Sequence, residues 1–354
     1  ITLIDSMDNL SKPVHSDVVL NTSFTIIRTW GKNTFKKSSR FNALEITNYV
    51  KPIKIYNERK VVKKPNIIIF IIESMGREYW GELNKNRNIK NFKSFTPFLD
   101  SLSKHSLIFP NAFATSRKSI HGMPSVLAGV PSFEIAYTSS YYSRQKLESM
   151  VSISNALGYN TSFLHGAKNG SMGFQGFANT LGYDNYYGRD EFDNDLEYDG
   201  FWGIWDEPFL QFSKSILDNK NEPFLATIFT LTSHEPYIIP NKFEGIFEEG
   251  YLPIHKCIGY TDYSIRQFFK SIKKSKWFEN TIFIFTSDHT NQSYFKYYQS
   301  TVNRFATPLL IYKKNSDFKG VDNRLASHLD IYPTVAELIG YKKPFRSWGR
   351  SLLS

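Results

Sequence analysis

The sequence predicts an α/β domain built on a largely parallel sheet, and three observations carry that prediction. Runs such as 66–73, 224–231 and 281–285 are rich in β-branched and aromatic residues without polar alternation, as strands buried on both faces are. Segments with helical spacing separate these runs. Several of the strands also end in a carboxylate or a histidine, and the carboxyl ends of parallel strands are where open sheets gather functional groups.

Residues 1–64 lack a strong period and read as an N-terminal arm or linker. They hold two helix-like stretches near 16–28 and 43–49 and a polar run over 57–64. The domain proper is expected over 65–354. After Pro65 the run 66–73 is a buried strand that stops at Glu73. Thr96 reads as an N-cap with Pro97 at the first helical position, and Leu99, Leu102 and Ser106 keep the spacing. Residues 107–114 read as a strand, and a polar turn over 115–119 enters a helical pattern through Leu127. A helix over 149–157 precedes a strand over 160–165 that ends in His165. A helix over 206–217 then leads to the strand 224–231, which ends at Ser233-His234. A helix over 259–274 precedes the strand 281–285, which ends at Ser287-Asp288-His289. The strand 305–312 contains Pro308, which lacks a ladder donor, so it is expected at an edge or a bulge. A final helix over 330–338 is closed by Gly340. There is no internal repeat.

Composition narrows the function classes. The chain has 354 residues, of which 41% are hydrophobic and 21% charged, with 30 Phe and 21 Tyr, which excludes a disordered polymer. The apolar stretch 67–72 is far shorter than the roughly 20 residues that span a bilayer. Cys257 is the single cysteine, so no intramolecular disulfide forms. With 43 Lys+Arg against 33 Asp+Glu the net charge is +10, which favours acidic partners. The lysines sit in short clusters (Lys60, Lys63, Lys64; Lys270, Lys273, Lys274, Lys276), which points to an anionic surface and away from nucleic acid. The first residue is Ile, so a signal peptide or membrane anchor upstream is an open expectation.

One strand ending in Glu73, His165, His234 or Asp288-His289 has an ordinary explanation as a cap or a turn. Four strands ending this way point to a shared site. Two ligand types on adjacent residues plus a distant carboxylate suit a divalent cation with oxygen and nitrogen donors. Such an ion lowers the pKa of a hydroxyl and neutralises a phosphoryl oxygen. The candidate nucleophile is Ser119 in Thr115-Ser-Arg117-Lys118-Ser119-Ile-His121-Gly122, where free helix N–H groups favour an anion and Arg117 and Lys118 add charge. From composition alone, Ser119 as a plain helix cap stays open beside that reading.

Six motifs occur in a telling order: Asn66-Ile-Ile-Ile-Phe-Ile-Ile-Glu73-Ser-Met-Gly, Thr96-Pro-Phe-Leu-Asp-Ser-Leu, Lys118-Ser119, Leu231-Thr-Ser-His234-Glu-Pro-Tyr, Thr286-Ser-Asp288-His289-Thr and Asp330-Ile-Tyr-Pro-Thr-Val. Over residues 64–340 this resembles the extracellular catalytic domain of the lipoteichoic acid synthase branch, the phosphoglycerol transferases, of the sulfatase/alkaline phosphatase superfamily. The resemblance implies a three-layer α/β/α sandwich with a mostly parallel central sheet. It implies one divalent cation, manganese or magnesium with zinc as a further candidate, held by Glu73, Ser119, Asp288 and His289. Ser119 then stands at the family's nucleophile position and His234 at that of the histidine in its substrate pocket.

The resemblance further implies phosphoryl-group transfer through a phosphoserine ester, from a phospholipid-type donor to a hydroxyl acceptor. The catalytic domain is then expected outside the cytoplasmic membrane, beside anionic lipid, with no nucleic-acid partner. The segment from His165 to Phe177 resembles the substrate loop, with Met172 and Phe174 where synthases carry a Trp and an Arg that contact glycerol phosphate. Lys168, Ser171 and His165 are candidates for recognition there. Arg304 is either a phosphate clamp or a surface arginine.

Other readings are weighed beside this one. A phosphoethanolamine transferase shares the fold and nucleophile, although that branch resembles disulfide-rich domains and this chain has one cysteine. A hydrolytic phosphodiesterase differs in the final acceptor only. A sulfatase needs a Pro two residues and an Arg four residues after its formylglycine, and this chain has His121 and Met123 there. A binding module that merely kept the fold would be expected to lose ligands. His328 is a candidate ligand for a second metal, and His121 reads as a helix-surface residue. His15, His105 and His255 read as surface or packing residues, and Trp202 and Trp205 as core or as a stacking surface for a head group.

Overall fold

In the computed structural model the run after Pro65 is a strand, β1 (Asn66–Ile72), buried along its whole length. The structure describes residues 4–8, 10, 15–31, 40–42, 45–46, 50–57 and 63–354. The other strands of its sheet are β2 (Leu107–Ile108), β3 (Asn160–His165), β4 (Asn185–Tyr187), β5 (Phe224–Phe229), β6 (Thr281–Ser287), β7 (Leu309–Tyr312) and β8 (Gly320–Val321). They form an eight-stranded sheet in the order β8-β2-β7-β6-β1-β5-β3-β4. Only β7 runs against its neighbours. The remaining pairs are parallel.

Helices α1 (Pro97–Ser103), α2 (Ser119–Ala128), α3 (Met150–Ala156), α4 (Phe174–Leu181), α5 (Asp206–Asp218), α6 (Ile254–Ile272) and α7 (Ile331–Leu338) cover both faces of the sheet. Strand alternation sorts them. Ile67, Ile69 and Ile71 share a core with Met123, Val126, Met150, Phe177 and Val335, from α2, α3, α4 and α7. Ile68, Phe70 and Ile72 share the opposite core with Leu99, Leu210, Leu217 and Phe268, from α1, α5 and α6. This is the expected α/β/α sandwich.

A strand apolar on both faces has little to oppose a one-residue slip, because a slip exchanges one apolar face for another. Polar groups at its ends hold the register instead. Asn66 Oδ1 accepts from Phe224 N at 3.1 Å, and beyond the other end Glu73 N donates to Thr230 Oγ1 at 3.0 Å. The resulting pairing sets Ile72 opposite Ser287.

Several elements differ from the sequence reading. The expected strand 107–114 is two short pieces, β2 and Ala112–Phe113, interrupted at Pro110. The expected edge strand 305–312 begins at Leu309, leaving Pro308 outside the ladder, and lies between β2 and β6 in the sheet. Helix α1 ends at Ser103, and Phe98 N and Leu99 N donate to the Asp262 carboxylate at 2.9 Å while the Thr96 side chain makes no cap. Helix α6 starts at Ile254, before the expected 259.

Two pieces of the stretch before Pro65 are packed on the sandwich. Ile4 and Met7 are buried against α4, and Ile53–Lys54 pairs antiparallel with Phe345–Arg346. A helix at Thr22–Thr29 answers the first helix-like stretch. Most of the second, at 43–49, and most of the polar run 57–64 fall outside the described residues. Among the described residues no helix is long and apolar enough to cross a membrane.

Candidate active site

Because Ile72 pairs with Ser287, the next residue of each strand, Glu73 and Asp288, leaves the sheet at the same rim. Asp288 Oδ1 accepts from Ser74 N at 2.9 Å and from His289 N at 2.8 Å, which ties the two strand ends together. Ser119 is the first residue of α2 and is 6% exposed. Its Oγ lies 3.1 Å from His289 Nε2 and 3.4 Å from Glu73 Oε2. His289 Nε2 is also 3.2 Å from Asp288 Oδ2 and 3.5 Å from Glu73 Oε1. The four side chains expected to converge do so.

Helix α2 reaches this close because residue 122 is glycine. A Cβ there would sit 1.9 Å from the Asp288 carbonyl oxygen.

The donor set fits a cation. His289 Nδ1 faces the Thr290 carbonyl at 2.9 Å, and a carbonyl can only accept, so Nδ1 carries a proton and Nε2 is the nitrogen turned to the cluster. That nitrogen faces two enclosed carboxylates, of which Asp288 Oδ2 has no hydrogen-bond partner. Burial first, and then the Asp288 charge, hold the Glu73 carboxyl well above the usual carboxylate range. Converging lone pairs with little counter-charge are the environment a divalent ion relieves. Glu73, Asp288 and His289 each offer a ligand atom within 4.8 Å of the others.

A supporting layer had no signal in the sequence. Ser74 Oγ donates to Glu73 Oε1 at 2.7 Å, and Ser233 Oγ donates to the Glu73 carbonyl. Buried Asp206 accepts from Leu231 N, Thr232 N and Thr261 Oγ1, and so holds the loop that carries His234.

The other predicted residues divide. His234 is half-buried, its Nδ1 faces the Glu235 carbonyl at 3.0 Å, and Trp202 covers its ring at a centroid distance of 4.2 Å. Trp202 therefore belongs to the site rim, whereas Trp205 packs edge-on to Tyr260. Arg117, Lys118 and Arg304 are exposed. Arg117 donates to the Asn291 carbonyl at 3.0 Å, and its pKa is lowered by burial and then by the nearby Arg304 charge.

His165 is a correction to the substrate-binding assignment. It is enclosed among Phe163, Phe174 and Phe229 and lies beneath the rim. Lys168 opens instead onto a surface cavity with Arg189, Asp190, Asp193 and Asp195, and no contact brings Ser171 to the cluster. Phe174 is fully buried. His328 is buried against α2, and among the described residues no second group of three metal-type ligands converges. His121 is half-buried on α2 outside the cluster, His15 and His105 are exposed, and His255 stacks on Phe95. A recess of about 490 Å³ between α1 and α6, lined by Phe98, His255 and Arg266, holds none of the cluster residues.

Enclosure of His165 and His328 has a measurable consequence. Burial pushes each imidazole down to about 4. The unfolded chain takes up these protons near pH 6.5 and the folded chain only near pH 4, so their stabilisation is lost as pH falls through that window. The loss approaches about 3 kcal/mol per histidine at pH 4. Glu78 and Asp262, held up at about 7 by burial, act in the opposite sense, so the comparison is between variant and parent. Urea unfolding from pH 7 to 4 should give His165→Gln a flatter stability profile than the parent; parallel profiles would contradict a neutral buried imidazole.

Comparison with known proteins starts from the architecture. The structure superposes on a protein of the alkaline phosphatase superfamily from Vibrio parahaemolyticus with a TM-score of 0.74 at 23% identity, covering 95% of this chain and 79% of that one. It superposes on the lipoteichoic acid synthase LtaP from Listeria monocytogenes with a TM-score of 0.68 at 23% identity, covering 82% and 75%. These likenesses establish the fold, the α/β/α sandwich that those proteins share. The sulfatase family pattern matches residues 65–341, and the chain belongs to that family. In sequence it is 24% identical to lipoteichoic acid synthase 1 of Bacillus subtilis over 330 residues, which is 78% of this chain and 49% of that protein. The chain thus spans about half the length of such relatives.

Proposed function

We propose that this domain transfers a phosphoryl-linked head group from a phospholipid-type donor to a hydroxyl acceptor through a covalent ester on Ser119. The observation that carries the reading is the Ser119 hydroxyl, at a helix N-terminus and within 3.4 Å of both Glu73 and His289. A divalent cation, manganese or magnesium, held by Glu73, Ser119, Asp288 and His289 would supply charge that stabilises an ionised hydroxyl and a phosphoryl oxygen.

The chain's own residues would do the rest. Ser119 Oγ, ionised with its proton lost to solvent before the donor binds and released again in that form, would attack phosphorus, and the bond from phosphorus to the lipid oxygen would break. His234 Nε2, the nitrogen left free by the Nδ1 contact to Glu235, protonates the departing alcohol. An acceptor hydroxyl then passes its proton to the same nitrogen, attacks phosphorus and releases Ser119. Arg117 and Arg304, two exposed guanidinium groups close together, suit the donor phosphate. With Phe174 enclosed, the substrate-loop segment supplies no charged clamp for a glycerol head group. Trp202 over His234 is the surface we assign to the head group instead. The site is placed on the outer side of the cytoplasmic membrane, with the +10 charge facing anionic lipid.

The test is the intact mass of the protein after incubation with Mn2+ and mixed phospholipids. A mass increment on the parent, absent from Ser119→Ala, is expected, and its size names the transferred group. Lipid consumption with no increment under rapid quenching would overturn the covalent route. Release of the free head-group phosphate would identify water as the acceptor.

A further inference from the structure

Among the described non-glycine residues with positive φ, four are Asn or Asp, which enter the left-handed region readily. The other three are Ser74 (φ 56°), Met172 (φ 52°) and Tyr237 (φ 60°). Such conformations are unfavourable for these residue types and persist where the surroundings over-determine them. Ser74 and Tyr237 bond the same side chain, Asn291.

The orientation of that amide follows from donor chemistry. Asn291 Oδ1 accepts from Gln292 N at 2.7 Å, and a backbone N–H can only donate, so the carbonyl side is pinned. The one Tyr237 Oη proton faces both this oxygen and Glu235 Oε1, each at 3.2 Å. Nδ2 is thereby turned to Ser74 Oγ, also at 3.2 Å. Ser74 Oγ passes its own proton to Glu73 Oε1, the oxygen farther from the nucleophile's contact at Oε2. Tyr237 N closes the turn that begins at the His234 carbonyl, at 3.1 Å.

We infer that Asn291 is a positioning residue whose amide orients the Glu73 carboxylate through Ser74 and places the His234 turn through Tyr237. It does so from three positions beyond Asp288, so one side chain couples the Glu73, Asp288 and His234 loops. Arg117 bonds its main-chain carbonyl, a contact that survives replacement of the side chain. The inference rests on the roles given above to Glu73 and His234.

The experiment measures Mn2+ affinity by calorimetry, turnover of bis(4-nitrophenyl) phosphate and the melting temperature for four proteins: Asn291→Ala, Ser74→Ala, their double variant and Tyr237→Phe. Removing a partner that orients a metal ligand costs about 10–100-fold in affinity or activity. Asn291→Ala and Ser74→Ala should each weaken Mn2+ binding by about that factor, and the double variant should be no weaker than Ser74→Ala, since both lie on one chain of bonds. Tyr237→Phe should lower kcat and leave Mn2+ affinity at the parent value. Parent-like Mn2+ affinity in Asn291→Ala, or losses that multiply in the double variant, would overturn the inference. If Asn291→Ala does not fold, Ser74→Ala and Tyr237→Phe cut the two arms singly, and failure of that split between affinity and kcat overturns it equally. A parent that binds Mn2+ and leaves the diester untouched would remove the proposed reaction, and the Mn2+ series would still decide on Asn291.

Discussion

Ser119→Ala is expected to lower kcat/KM for a phosphodiester by on the order of 10⁴-fold, as loss of a covalent nucleophile does. That corresponds to about 5 kcal/mol of transition-state stabilisation. Folding should hardly change, because the hydroxyl is a small group whose contacts are 3.1 Å to His289 and 3.4 Å to Glu73, both to side chains that keep other partners. Mn2+ affinity should fall far less than activity, since Glu73, Asp288 and His289 retain their ligand atoms within 4.8 Å of one another. Steady-state kinetics with calorimetry on the same preparation checks both statements. Parent-level turnover in this variant would remove Ser119 from the reaction, and complete loss of Mn2+ binding would show that it is chiefly a ligand.

Gly122→Ala is expected to be less damaging to activity than Ser119→Ala and far more damaging to the fold. Helix propensity alone predicts the opposite, a gain of about 0.5–1 kcal/mol on replacing an interior glycine with alanine. The added methyl, however, would lie 1.9 Å from the Asp288 carbonyl oxygen and 2.7 Å from its carbon, both backbone atoms that no rotamer can clear. Relief requires α2 and the Asp288 turn to separate, and Ser119 sits one helical turn from the clash. Overpacking of this kind costs roughly 3 kcal/mol, and a displacement of about 1 Å at a nucleophile costs about 10²-fold in rate. Thermal melts and kinetics should therefore fall together. A melting temperature at or above that of the parent would mean that α2 does not dock on this turn.

Two of the histidines that end strands in the sequence show where sequence reading stops. His165 and His289 follow comparable apolar runs, so residue type alone ranks them equally. His165 lies within the strand and pairs with Phe229, so the alternation of β3 carries its ring into a core lined by Phe163, Phe174 and Phe229. His289 lies two residues past Ser287, beyond the last pair of β6, where the chain is free to turn back over the rim. Strand length by one or two residues separates a core histidine from one at the rim of the sheet, and element ends are the least legible feature of a sequence.

The residue pattern was enough for the layer architecture, since continuous apolar runs between helices can be buried only in a sheet covered on both faces. It was enough, too, to single out Ser119, Glu73 and Asp288-His289, which the folded chain brings together. Three matters waited for the folded chain: the pairing that sets Ile72 beside Ser287, the close approach permitted at Gly122, and the shared contacts of Asn291 with Ser74 and Tyr237. Each joins segments remote along the chain, and the distance between such segments is settled by the packing of whole layers rather than by any local preference.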